Sequence, residues 1–115
     1  MNQKQYEQFA EDFHERAQEL MLMKNADYAD PDSKQHDSFA VFGNLVACER
    51  VGISSTEQGF LVRLQDKLSR LANITKPDHA RMVKDESVDD TLLDIINYAT
   101  LFAAFRKCVK KYGRP

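Results

Sequence analysis

The segment from Asp85 to Ala99 constrains the fold of this chain more than any other part of its sequence. Ser87 is followed three residues later by Asp90, a pattern that resembles a capping box and predicts the start of a helix. Apolar residues then recur at helical spacing, namely Val88, Leu92, Ile95, Ala99 and Phe102. The segment therefore predicts a long helix that buries one face in a protein core.

The same predicted helix also carries a polar face beside its apolar one. Asp90, Asp94 and Asn97 are spaced by four and three residues, so they stack on one side of the helix. Carboxylates one turn apart repel each other by a few tenths of a kcal/mol on an exposed helix. A bound cation or a basic partner helix would turn this repulsion into attraction. The alternative is a solvated helix edge, since the helix dipole alone favours acidic residues near an N-terminus.

The remainder of the chain predicts three more helices and two polar linkers. β-branched residues are scattered and no alternating strand pattern occurs, so we expect an all-α protein, a compact bundle of about four helices with a long loop after helix one. At 115 residues, we expect a single domain over 1–115. The predicted helices cover 3–23, 39–50 and 57–74, with linkers at 25–38 and 76–85, and the second linker leads into a last helix that reaches about residue 111.

Composition narrows the class of protein. The formal net charge is −2, which does not fit a generic nucleic-acid binder. No stretch approaches the roughly 18 apolar residues that a membrane span needs, and the first residues are polar, unlike a signal peptide. We therefore expect a cytoplasmic protein with no membrane contact.

Charged residues gather on one side of the third predicted helix. Three cations, Arg63, Lys67 and Arg70, surround Asp66 at spacings of three and four. They form either a solvated face, whose ion pairs contribute tenths of a kcal/mol, or a phosphate clamp. Three cations exceed what one acid can pair. An anionic partner could complete the set, either the acids of the last helix or a ligand phosphate.

The first linker offers residues that could contact a nucleobase. Lys24 and Tyr28 lie where the first helix is predicted to end, and Asn44 opens the segment after the linker. Loop residues commonly carry function, and Tyr28 could stack on a base while Asn44 reads a base edge. Turn chemistry and helix capping are the alternatives for these residues.

Taken together, these motifs resemble the nucleotide modification associated domain 1 family, small all-helical proteins common in bacteriophages. The resemblance extends over about residues 20–102 and rests on the segments 24–28, 42–44, 63–71 and 85–99. Asp27-Tyr28-Ala29 stands where the family usually has Asp-Tyr-Gly. The polar positions that recur in the family correspond to Lys24, Asp27, Tyr28, Arg63, Asp66, Lys67, Arg70, Glu86, Asp90 and Asp94.

The resemblance implies work on nucleotides. The chain is also distantly similar to the all-α nucleoside triphosphate pyrophosphohydrolases, in which acidic helix residues hold magnesium. The spacing of Glu86 and Asp89 fits one of their two acidic motifs, whereas the third helix offers only Asp66. By this likeness, Mg²⁺ would be held by Glu86, Asp90 and Asp94, while Asp66 or Asp89 would orient a water. Lys24, Arg63, Lys67 and Arg70 would bind the phosphates.

Three functions are compatible with these residues. The first is a magnesium-dependent hydrolase of (deoxy)nucleoside phosphates. The second is a binder without catalysis, which sequesters a nucleotide or a cyclic nucleotide immune signal. The third is a structural accessory of a DNA-modification complex. In each case we expect a homo-oligomer, because small helical proteins of this kind often assemble.

Overall fold

The computed structural model describes the backbone of residues 1–28, 37–77 and 85–115, and the side chains of residues 1–24, 37–77 and 87–115. Within these ranges the chain forms four α-helices and one short 3-10 helix, and no strand. The prediction of an all-α protein is confirmed. The elements are α1 (Gln3–Tyr28), a 3-10 turn (Ala40–Phe42), α2 (Asn44–Arg50), α3 (Thr56–Ile74) and α4 (Asp85–Tyr112).

A capping box fixes the start of α3. The Ser55 hydroxyl accepts a hydrogen bond from the Gln58 backbone N–H (3.1 Å), and the Ser55 N–H donates to the Gln58 side chain (3.1 Å). Two backbone donors that the first helical turn leaves open are thereby satisfied. The helix begins within one residue of the predicted position.

The predicted helix over 39–50 is interrupted at Gly43. This residue has φ 51° and ψ −125°, a backbone conformation that favours glycine and breaks a helix. The 3-10 turn and α2 therefore form two short elements in place of one helix. Phe42 and Val46 are buried on either side of the break.

The helix start predicted at Ser87 is wrong. Helix α4 already includes Asp85, and the Thr91 hydroxyl donates to the Ser87 carbonyl (2.8 Å) as it would inside a regular helix. Acidic residues are favoured throughout a first helical turn, so the Ser87–Asp90 pattern did not distinguish a cap from the turn after it.

Helix α1 is longer than predicted. It continues to Tyr28, so Lys24 lies inside a helix and not in the following loop. Proline is the strongest helix breaker here, and the first one after α1 is Pro31. Lys24 lies seven residues after buried Ala17, which directs both side chains to the same side of α1.

The core lies where α2, α3 and α4 meet. Phe60 of α3 stacks on Phe102 of α4 with ring centroids 4.9 Å apart, and Phe105 makes an edge contact with Phe42 at 5.5 Å. Because contacts pair early residues of α3 with late residues of α4, these two helices form an antiparallel hairpin. The buried cluster consists of Phe39, Phe42, Val46, Phe60 and Phe105.

Only part of α1 joins this core. Ala17 is buried against the bundle, but Tyr6 and Phe9, whose spacing places them on the apolar side of α1, are both more than half exposed. The rings of Phe9 and Phe13 stack on each other at 5.6 Å. The apolar stripe of α1 is thus continuous in sequence but covered only in its C-terminal half.

No helix in the described parts of the chain is long and apolar enough to cross a membrane.

Candidate functional site

Asp94 joins three helices through its carboxylate. Its Oδ1 lies 2.5 Å from Lys24 Nζ of α1, and its Oδ2 lies 3.1 Å from Lys67 Nζ of α3. Each carboxylate oxygen therefore receives one ammonium group. The Asp94 side chain is 24% exposed and that of Lys67 27%, so both are partly shielded from water. The predicted acidic face of α4 has basic partner helices on two sides at this level.

The environment of Asp94 favours its charged form. Burial alone would raise the pKa of this carboxyl, but the hydrogen bonds from Lys24 and Lys67 outweigh burial and hold the pKa below its ordinary value. The group is a carboxylate at neutral pH. It holds the two lysine side chains in extended positions between α1 and α3.

A second, weaker contact lies one turn earlier on α4. Arg16 Nη2 approaches Asp90 Oδ1 at 3.4 Å, and the two side chains are 47% and 64% exposed. Exposed pairs of this kind contribute about 0–1 kcal/mol. Asp90 thus keeps most of its surface open to solvent, unlike Asp94.

Two arginines extend the basic surface on α3. Arg63 and Arg70 lie four residues before and three residues after Lys67, which places all three on the same side of the helix. Both arginines are exposed, and neither makes an ion pair with any side chain that the structure describes. Asp66 is exposed as well and is not ion-paired with Arg70 within those ranges. We call the surface formed by Lys24, Lys67, Arg63 and Arg70 around Asp94 the basic groove.

One buried polar atom near the basic groove has no partner. Asn97 Oδ1 is shielded from solvent and accepts no hydrogen bond within the described parts of the chain. It lies three residues after Asp94, on the same side of α4. A buried acceptor without a donor costs about 1–3 kcal/mol. A donor supplied from outside the described residues would recover this energy.

Of the predicted metal ligands, the structure describes the side chains of Asp90 and Asp94 but not that of Glu86. Among the described side chains, no group of three or more His, Cys, Asp or Glu residues is close enough to hold a metal. The side chain of Glu86 lies outside the described residues, as do those of Asp27 and Tyr28. Asp89 is partly buried on α4, next to Asp90 in sequence.

Asn44 lies away from the basic groove because it belongs to α2. It opens α2, which packs on the N-terminal end of α3, where the Thr56 hydroxyl donates to the Leu45 carbonyl. Asn44 is exposed there, and no contact among the described residues joins it to Asp94.

Two features of the structure were not anticipated from the sequence. Arg16 is the only lysine or arginine between Lys4 and Lys24, and it lies next to buried Ala17, which could have indicated contact with the last helix. The second feature is at the C-terminal end, where Arg114 donates to Glu57 at 2.8 and 2.9 Å and also binds Glu49.

The Arg114 contacts span 57 and 65 residues of sequence, so no local spacing could have predicted them. The hydrogen bonds from Arg114 lower the pKa of Glu57. A cavity of about 230 Å³ lies beside Arg114, with Phe102 and Val109 among its lining residues. None of the predicted site residues lines this cavity, so it is separate from the basic groove.

The chain is therefore an α-helical protein in which basic side chains from α1 and α3 lie together around Asp94. Residues 54–105 match the family model described as nucleotide modification associated domain 1. The resemblance noted in the sequence is thereby confirmed over α3 and most of α4. The matched segment begins after Lys24, Tyr28 and Asn44. No curated protein and no solved structure matches the chain.

Proposed function

We propose that this protein binds a nucleotide through its phosphates in the basic groove. The observation that carries the proposal is the convergence of Lys24 and Lys67, from two different helices, on the partly buried Asp94. The family match supports a nucleotide as the source of the phosphate.

The arginines supply the primary phosphate contacts. Arg63 and Arg70 present planar guanidinium groups, which can each donate two parallel hydrogen bonds to a phosphate. Lys67 lies between them in sequence and adds a point charge to the same side of α3. The Lys67 ammonium group is paired with Asp94 in the absence of ligand, so a phosphate that binds Lys67 has to compete with this carboxylate.

The base has two candidate partners. Asn97 Oδ1 is a buried acceptor without a donor, and an amino or imino N–H of a base would satisfy it. Tyr28 remains our proposed stacking residue. Asn44 has no part in this arrangement, since its helix packs at the other end of α3.

Calorimetric titration in EDTA tests phosphate binding. Nucleoside mono-, di- and triphosphates and cyclic dinucleotides form the ligand panel. The double change Arg63→Ala and Arg70→Ala should weaken binding of the best ligand by at least tenfold. Arg106→Ala is the matched control, because this exposed arginine of α4 makes no ion pair within the described residues. Equal losses in the control and the double variant would contradict a specific phosphate contact.

A second candidate is magnesium-dependent hydrolysis of the bound nucleotide. The observation in its favour is that Asp90 is 64% exposed, one turn from Asp94 and one turn from Glu86 along α4, so its carboxylate is open to a cation. Mg²⁺ takes one or two carboxylates together with substrate phosphates. Asp66 or Asp89 would then orient the attacking water.

Product analysis separates catalysis from capture. Repeated turnover that disappears with EDTA and in Asp90→Asn would establish the hydrolase. Recovery of intact ligand at one equivalent per site would establish a protein that sequesters a nucleotide, including a cyclic nucleotide immune signal. Neither binding nor turnover across the panel would leave a structural role in a DNA-modification complex.

A further inference from the structure

The α3–α4 hairpin has two sides, and the ion pair between Lys67 and Asp94 shows which of them faces α1. Lys67 and Asp94 meet on the side that faces α1, because Lys24 of α1 reaches the same carboxylate. The opposite side of the hairpin is formed by the flanks of α3 and α4 that point away from this pair. Helical spacing assigns to it Leu61 and Leu68 of α3, and Leu92 and Ala99 of α4. We call these four residues and their neighbours the back face.

The back face is apolar and open. In the protomer Leu61, Leu68 and Leu92 are 57%, 54% and 38% exposed. Ala99 is exposed as well, and its small side chain permits another helix to approach closely.

The middle of the back face lacks charge, and the first charged residue on this side of α4 after Ala99 is Arg106, seven residues later. On α3 the back face consists of uncharged residues at spacings of three and four. These residues are Gln58, Leu61, Gln65, Leu68 and Ala72. On α4 the run from Ile95 to Phe105 contains no charged residue on any side of the helix. Charged residues make up 30% of the whole chain. Solvent-facing sides of helices usually carry charged or polar residues, so an uncharged run with exposed apolar residues favours a contact that covers it.

The protomer exposes more surface than a folded monomer of its size. Its accessible surface is 8782 Å², whereas about 6,400 Å² is expected for 13.2 kDa. Its radius of gyration is 16.7 Å, against about 13 Å for a compact domain of this length.

We propose that the back face binds the same face of a second copy of this chain, so that two α3–α4 hairpins form a four-helix bundle. A two-fold axis makes one self-complementary patch sufficient for both copies. Interfaces between identical subunits are the most apolar class, and the uncharged middle of the back face fits that class better than it fits an interface with a charged transient partner.

The dimensions of the back face are adequate for this dimer. Helix α3 has 19 residues and is about 28 Å long, and two packed helices are about 20 Å wide. The projected contact is then about 560 Å² on each copy, about 1,100 Å² in total, which passes the 1,000 Å² expected of a biological interface. The basic groove lies on the other side of the hairpin, so it stays open in the dimer whatever ligand it binds.

Light scattering coupled to size-exclusion chromatography tests the dimer. The wild-type protein should show twice the protomer mass of 13.2 kDa, and Leu61→Lys combined with Leu68→Lys should restore the protomer mass. Val62→Lys is the matched control: Val62 is 60% exposed on the same helix but lies about 100° around it from Leu61, so it should leave the dimer intact.

Three results would overturn the proposal. One is a monomeric wild-type protein at every concentration tested, and another is a dimer that survives Leu61→Lys with Leu68→Lys. The third is a dimer broken by Phe9→Lys but not by the back-face changes, which would place the interface on α1. If circular dichroism shows that the double variant is unfolded, Leu92→Lys on α4 decides by the same mass measurement.

Discussion

Replacement of Asp94 by asparagine should destabilise the fold measurably. The change keeps the shape of the side chain but removes the charge that holds Lys24 and Lys67 together. Two ammonium groups would then face each other across the groove without their common anion. Leaving a fully buried charge without its partner costs about 3–5 kcal/mol, whereas losing an exposed pair costs about 0–1 kcal/mol. Asp94 lies between these limits at 24% exposure, so we expect a loss of about 2 kcal/mol.

Thermal unfolding and urea titration measure this loss. At about 4 °C per kcal/mol for a domain of this length, the melting temperature should fall by about 8 °C. Asp66→Asn is the matched control, since it removes the same charge from an exposed side chain that has no ion pair among the described residues. Its free energy of unfolding should change by less than about 0.5 kcal/mol.

The pH dependence provides a second, independent test. Because the folded protein lowers the pKa of Asp94, this group stabilises the fold fully above the pKa it has in the unfolded chain, about 3.9. The stabilisation is lost as the pH falls through the lower pKa of the folded state. The difference between wild type and Asp94→Asn should therefore be constant near neutrality and shrink in acid below about pH 4. Equal stability of the two proteins at neutral pH would refute the structural role assigned to the Asp94 pairs.

Three further changes test other parts of the structure. Ser55→Ala removes the cap of α3 and should lower the free energy of unfolding by about 1 kcal/mol in urea titration, whereas Ser69→Ala on the exposed middle of the same helix should not. Arg114→Gln should lower the free energy of unfolding by about 1 kcal/mol in the same assay, because Glu49 and Glu57 lose their shared cation. The expected loss is small because the Arg114 side chain is exposed to solvent. Arg70→Lys should weaken nucleotide binding in calorimetry although the charge is kept, since a bidentate contact is lost; unchanged affinity would mean that Arg70 does not contact phosphate.

The sequence predicted helices best where apolar spacing and turn chemistry agreed. Helix α3 was located within a residue because Ser55 and Gln58 form a local cap that spacing alone reveals. The break at Gly43 was missed because glycine inside a helical pattern is tolerated as often as it interrupts one. The start of α4 was misplaced because Ser87 and Asp90 also fit the first turn of a helix that began earlier.

Burial was harder to predict than helical structure. The apolar stripe of α1 is regular from Tyr6 onward, yet only its C-terminal half contacts α4. Periodicity shows which side of a helix is apolar, but not what covers that side. The same limit applies to Leu68, which follows Phe60 and Leu64 at a spacing of four residues on α3 and is nevertheless more than half exposed. Both errors occur where the protomer leaves apolar surface open.

The candidate site could be predicted only in part from the sequence. Charge patterns along one helix are local, whereas the ion pairs join residues that are distant in sequence. The spacing of Asp90 and Asp94 left open a bound cation, a basic partner helix or a solvated helix edge, and the structure places Arg16, Lys24 and Lys67 beside these acids. Which lysine meets which acid depends on contacts across 27 and 70 residues, and no spacing rule reaches that far.

The pairing of Asp94 also determines what kind of nucleotide complex the basic groove favours. A free phosphate would compete with Asp94 for Lys24 and Lys67, and a free magnesium ion would compete with both lysines for Asp94. Either exchange alone leaves a partly buried charge without its partner, which is costly. A nucleotide that arrives with its magnesium avoids this cost, because the phosphates can take the lysines while the metal takes the carboxylate. On the proposed function, magnesium should therefore strengthen nucleotide binding to the wild-type protein. Asp94→Asn removes the carboxylate that competes with phosphate for the lysines, so nucleotide binding should become tighter in EDTA and lose most of its dependence on magnesium.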